Sequence, residues 1–107
     1  MSEMKSAMAI QCLPLGLGAK EEIHRAVGKA IVEIDGAGLP YEVGPFETSV
    51  EGPADELLAL ARRAHEAAAQ ASLAAGGSGA ATYLKLFSSP ELSSSEEKVA
   101  KYRAKGH

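Results

Sequence analysis

Residues 44–53 read Gly-Pro-Phe-Glu-Thr-Ser-Val-Glu-Gly-Pro, and this stretch restricts the fold more than any other in the chain. Gly44-Pro45 is a turn signal, and the residues from Phe46 to Glu51 suit a strand. Gly52-Pro53 ends that strand and opens a helix, because proline in the first helical turn has no amide hydrogen to leave unpaired and its φ is already helical. Within so short a strand lie two carboxylates and two hydroxyls, Glu47, Thr48, Ser49 and Glu51. Buried polar groups need partners, so the segment is either an exposed edge or the floor of a site.

The flanking sequence supplies the layers around it. Residues 7–15 (A-M-A-I-Q-C-L-P-L) form a mostly apolar run ended by Pro14 and Gly16-Leu17-Gly18. That predicts a buried strand, with Met8, Ile10 and Cys12 on one face and Ala7, Ala9, Gln11 and Leu13 on the other. Residues 20–35 predict a helix whose apolar stripe is Ile23, Ala26, Val27, Ala30, Ile31 and Ile34, with Glu21 and Glu22 complementing the dipole of its first turn. Residues 39–43 are a short strand that Pro40 marks as an edge. The connection from it to the strand at 46–51 is too short for a crossover, so the two form an antiparallel hairpin. A second helix is predicted over 53–75, striped by Leu57, Leu60, Ala61, Ala64, Ala68 and Ala71. Its alanine-rich half has high propensity but little bulk and must pack closely. Residues 80–87 alternate as a last strand, with Thr82, Leu84 and Leu86 opposite Tyr83, Lys85 and Phe87. In the extension 88–107, Ser94 and Glu97 read as a capping box that starts a terminal helix reaching about Ala104.

The order β-α-β-β-α-β over residues 1–107 specifies one α+β domain. It is a ferredoxin-like sandwich with a four-stranded antiparallel sheet and both helices on one face. The other face needs cover, and a second subunit is the expected source. Aromatics are only 5% of the 107 residues and Trp is absent, so the core is thin and aliphatic and self-association is expected. A net charge of −3 leaves no basic stripe for phosphate backbones, which excludes a general nucleic-acid binder. Cys12 is the single cysteine, and His24, His65 and His107 lack ligand spacing, so no metal site is expected. No apolar run approaches the ~20 residues of a membrane span. Residues 1–11 hold one lysine and no sustained apolar stretch, so no signal peptide is expected and the cytoplasm is the default location.

With these elements placed, the chain resembles the small thiamine-binding protein family. The first strand ends in Pro14-Leu15-Gly16, and the signature Gly-Pro-x-x-Thr-x-(Ile/Val)-Glu-Gly is met by residues 44–52. Leu84-Lys85-Leu86 resembles the last strand of the family, and Lys98-Val99 a late Lys-Val pair. The chain departs where members usually have arginines around the last strand; Ala81-Thr82 and Phe87-Ser88-Ser89 stand there. The resemblance implies a ferredoxin-like fold, dimers pairing into tetramers, and binding of thiamine or its hydroxymethyl-pyrimidine moiety without catalysis, cofactor or metal.

For such a ligand, the ring nitrogen and exocyclic amine of an aminopyrimidine suit a carboxyl or amide partner. Glu51 or Gln11 is the candidate for that pairing, with Thr48 or Ser49 holding a hydroxyl group and Lys85 as a further contact. Glu51 is equally suited to accept amide hydrogens at the start of the second helix. Alternation sends Glu47, Ser49 and Glu51 to one side and Thr48 to the other, so Thr48 and Glu51 meet one ligand only at a bulge or a strand end. Lys85 also suits an ion pair with Glu47, and Tyr83 and Phe87 suit either ring stacking or subunit packing. Gly16-Leu17-Gly18 lacks the remaining residues of a nucleotide-binding loop. The expected function is a non-enzymatic binding protein. The alternatives are an enzyme using Glu47 and Glu51 as a carboxylate pair, or a regulatory or structural oligomer with no ligand.

Overall fold

The computed structural model of the chain describes residues 4–90. Its elements are β1 (Lys5–Leu15), α1 (Lys20–Gly36), β2 (Tyr41–Val43), β3 (Thr48–Glu51), α2 (Ala54–Ala74) and β4 (Gly79–Ser89). They form a four-stranded antiparallel sheet in the order β2-β3-β1-β4, the ferredoxin-like arrangement that the sequence predicts. The terminal helix expected after Ser94 lies outside the described residues.

β1 runs through the middle of the sheet and pairs along its whole length with β4, from Lys5 opposite Ser89 to Leu15 opposite Gly79. Its other edge pairs with β3, Met8 opposite Val50 and Ile10 opposite Thr48. Alternation therefore puts Met8, Ile10, Thr48 and Val50 on one face, where all four are buried. Ile34 of α1 and Leu57, Leu60, Ala64 and Ala68 of α2 close over them. The alanines of α2 let that helix approach the sheet closely, as its composition requires. Leu84 and Leu86 share this face of β4 but stay about 40% exposed, at 39% and 42%. β2 is the outer strand, as Pro40 predicts, and is only three residues long.

Pro53 stands one residue ahead of α2, as its extended N-terminal cap with ψ at 141°, and not inside the first turn. Its carbonyl accepts the Leu57 amide at 2.9 Å, which starts the helix without any side-chain cap.

A knot unforeseen from sequence ties the far ends of β1, α2 and β4. Ser72 is fully buried in the last turns of α2. Its hydroxyl donates to the Leu15 carbonyl at 2.8 Å and accepts the Gly79 amide at 3.3 Å. Its carbonyl takes the Gly77 amide at 2.7 Å, while the Ser78 amide reaches the Leu15 carbonyl at 2.9 Å. The helical stripe stops at Ala71 in sequence because serine does not read as apolar, yet the fold encloses Ser72 as completely as Leu57, Leu60, Ala64 and Ala68 of the stripe.

Candidate functional site

The sheet face turned away from the helices is built by the same alternation. β1 contributes Ala7, Ala9, Gln11 and Leu13, β3 contributes Ser49 and Glu51, and β4 contributes Tyr83, Lys85 and Phe87. Glu42 of β2 joins them opposite Ser49, and Glu47 lies one residue ahead of β3. Two strand spacings, about 10 Å, separate the β3 and β4 rows. Only the methyl groups of Ala7 and Ala9 stand between those rows over one part of the central strand. The outcome is a shallow trough with a small-residue floor, carboxylates and a hydroxyl on one wall, and two aromatic rings with a lysine on the other. Tyr83 is 62% exposed and Phe87 51%.

Local sequence fixes the position of the acidic wall. Gly44 opens the loop between β2 and β3, and its amide donates to the Glu47 carbonyl at 3.0 Å. A Cβ at Gly44 would stand 2.8 Å from that carbonyl oxygen, so glycine is required for the close approach. At the other end the Glu51 amide donates to the Pro40 carbonyl at 2.9 Å and the Gly52 amide to the Ser6 carbonyl at 3.1 Å. These bonds hold the strand in register up to its last residue.

One ion pair crosses the trough. Lys85 Nζ lies 3.6 Å from Glu47 Oε2, both side chains partly exposed. Lys85 sits opposite Ala9 on β1, and reaches the β3 side because alanine leaves the way open. The pair foreseen between Lys85 and Glu47 therefore forms across an intervening strand.

Of the candidate residues, Gln11, Ser49, Glu51 and Lys85 share this open face. Thr48 does not. The β1–β3 register runs without a bulge from residue 48 to 51, so Thr48 projects toward the helices, where it is 7% exposed. Glu42 is the addition that sequence reasoning overlooked. The signal was its place in the hairpin, where the β2–β3 register sets it beside Ser49.

The opposite face holds a second polar contact. His65 Nδ1 lies 2.6 Å from Thr82 Oγ1, joining α2 to β4. Burial pushes the Cys12 thiol above its ordinary range, and a hydrogen bond with Thr82 partly offsets this. Among the described residues, no group of three or more His, Cys, Asp or Glu side chains is placed to hold a metal ion. No helix among them is long and apolar enough to cross a membrane.

Comparison with known proteins gives the face a context. A family model described as "Thiamine-binding protein" matches residues 8–103. The fold superposes on a domain of unknown function from Bacillus cereus with a TM-score of 0.74 and 32% identity, covering 96% of this chain and 94% of that one. It also superposes on a proposed thiamine biosynthesis or salvage protein from Thermotoga maritima, with a TM-score of 0.70 and 29% identity over 92% of this chain and 99% of that one. A UPF0045 protein of Clostridium perfringens is 39% identical over 44 residues, 41% of this chain and 46% of that protein, so the match spans under half of the relative's length.

Proposed function

The chain belongs to the thiamine-binding protein family, and we propose that it binds thiamine or its hydroxymethyl-pyrimidine moiety on the open sheet face and does not transform it. The observation that carries this reading is the convergence of Ser49, Glu51 and Gln11 on the face where Tyr83 and Phe87 stand exposed. A flat heterocycle lies on the methyl floor of Ala7 and Ala9. Glu51 takes the exocyclic amine and ring nitrogen of the aminopyrimidine, and Ser49 a hydroxyl group. The aromatic side chains of β4 cover an edge or face of the ring.

The reading includes a homo-oligomer. An open face with exposed Tyr83 and Phe87 and with Leu13 and Leu15 at 37% and 42% exposure is apolar enough to favour cover by another subunit. The carboxylates lie on its β2–β3 side and Lys5 and Lys85 on its β1–β4 side, so two copies packed face to face about a twofold axis parallel to the strands oppose unlike charges. A shallow trough then becomes an enclosed one. The protein acts as a carrier or buffer of its ligand in the cytoplasm.

Titration calorimetry with thiamine and with hydroxymethyl-pyrimidine tests the proposal. Glu51→Ala should weaken binding at least tenfold, because it removes the side chain that pairs with the exocyclic amine and ring nitrogen of the aminopyrimidine. Folded protein that gives no heat with either compound at millimolar concentration would end this reading.

A further inference from the structure

The charges around Ser49 determine more than the presence of a ligand. Ser49 has four neighbours on the open face: Glu42 across the β2 pairing, Ala9 across the β1 pairing, and Glu47 and Glu51 two residues away in either direction along the chain. Side chains so placed are about 5–8 Å apart at their Cβ atoms. Three of those four neighbours are carboxylates. A phosphate monoester brings roughly −1.5 to −2 charges at pH 7, and in this surrounding it is repelled unless a cation meets it.

Among the described residues, the basic side chains of this face are Lys5 and Lys85. Lys5 lies at the end of the sheet, opposite Ser89. Lys85 stands in the middle, opposite Ala9, and its ammonium group is 3.6 Å from the Glu47 carboxylate. An incoming phosphate must compete with Glu47 for that ammonium group and approach a second carboxylate while doing so.

We infer that this face selects the unphosphorylated heterocycle over its phosphate ester, and that Glu47 sets the selection by holding Lys85 across the trough; this rests on the binding function proposed above. Glu47 is a positioning residue, acting on the ligand through Lys85. The unphosphorylated thiamine cation gains from the same carboxylates that repel the ester. A chain of this kind would take its ligand from a reaction that releases the free alcohol, or supply a kinase that phosphorylates it.

Calorimetric titration of the full chain with thiamine, thiamine monophosphate, hydroxymethyl-pyrimidine and its monophosphate ester tests the inference. The wild-type protein should bind each free alcohol at least about tenfold more tightly than its ester at low salt. Glu47→Gln should cut that ratio about fivefold or more, and raising the salt should erase the gain. Glu47→Gln combined with Lys85→Gln should return the ratio to the wild-type value or above it, since the freed lysine is then absent. Equal affinity of the wild type for alcohol and ester overturns the inference while leaving the binding function standing. A gain that persists in the double variant overturns the role of Lys85. Binding of neither compound by the wild type removes the parent proposal and this one together.

Discussion

Replacing Gly77 by alanine should be far more damaging than its half-buried, turn-like setting suggests, and Ser72 should determine how damaging. Gly77 has no unusual φ, so backbone strain does not enter. A Cβ there would run into Ser72 Oγ, lie 2.5 Å from the Leu15 carbonyl oxygen and 2.9 Å from Leu17 Cδ2. The leucine side chain can yield, but the carbonyl cannot, because it is held by the Ser72 hydroxyl and the Ser78 amide. Overpacking of this kind costs about 1–3 kcal/mol or more, and breaking a bond to the held carbonyl adds about 1 kcal/mol. We expect a total of about 2–4 kcal/mol. Ser72→Ala alone removes the bond to Leu15 and the acceptor for the Gly79 amide. The Leu15 carbonyl keeps Ser78, so the loss is about 1–2 kcal/mol. In the double variant the collision with Oγ is gone, and the combined cost should fall short of the sum by about 1 kcal/mol. Urea unfolding at one fixed protein concentration measures all three, with association held constant. Each kcal/mol corresponds to about 4–8 °C in Tm for a domain of this size. A Gly77→Ala protein within about 0.5 kcal/mol of wild type would refute the steric reasoning, and strict additivity would refute the coupling.

Two further outcomes are expected. Ala9→Leu should fill the trough floor and displace Lys85 from Glu47; ligand affinity should drop at least tenfold while the unfolding midpoint changes little, since leucine suits an open strand position and a surface ion pair contributes under about 1 kcal/mol. Unchanged affinity would remove Ala9 from the site. Burial holds the Cys12 thiol above its ordinary range, so the folded state keeps this proton longer than the unfolded chain does. The stability this provides is complete below the unfolded thiol value of about 8.5 and is lost as pH rises through the higher folded value. Urea midpoints of wild type and Cys12→Ala should therefore converge or cross as pH climbs above that range, and parallel curves would contradict it.

The six elements follow from local chemistry. Glycine and proline mark their ends, β1 and β4 alternate with period two, and the stripes of α1 and α2 repeat with the helical period. Local pattern also separates Thr48 from Ser49 and Glu51, because neighbouring strand residues face opposite sides whatever the sheet does next. The adjustments were at boundaries, as at Pro53, where the chain needs an extended cap residue before the first helical turn.

Sequence alone thus determined the elements, their order, the ferredoxin-like topology and the face each side chain takes. Tertiary structure decided what lies beside what. Register across strands distant in sequence let Lys85 reach Glu47 over Ala9. Packing of the last α2 turns against the ends of β1 and β4 enclosed Ser72. Those relations join residues tens of positions apart, and no local propensity encodes them; they exist only once the strands have chosen their partners.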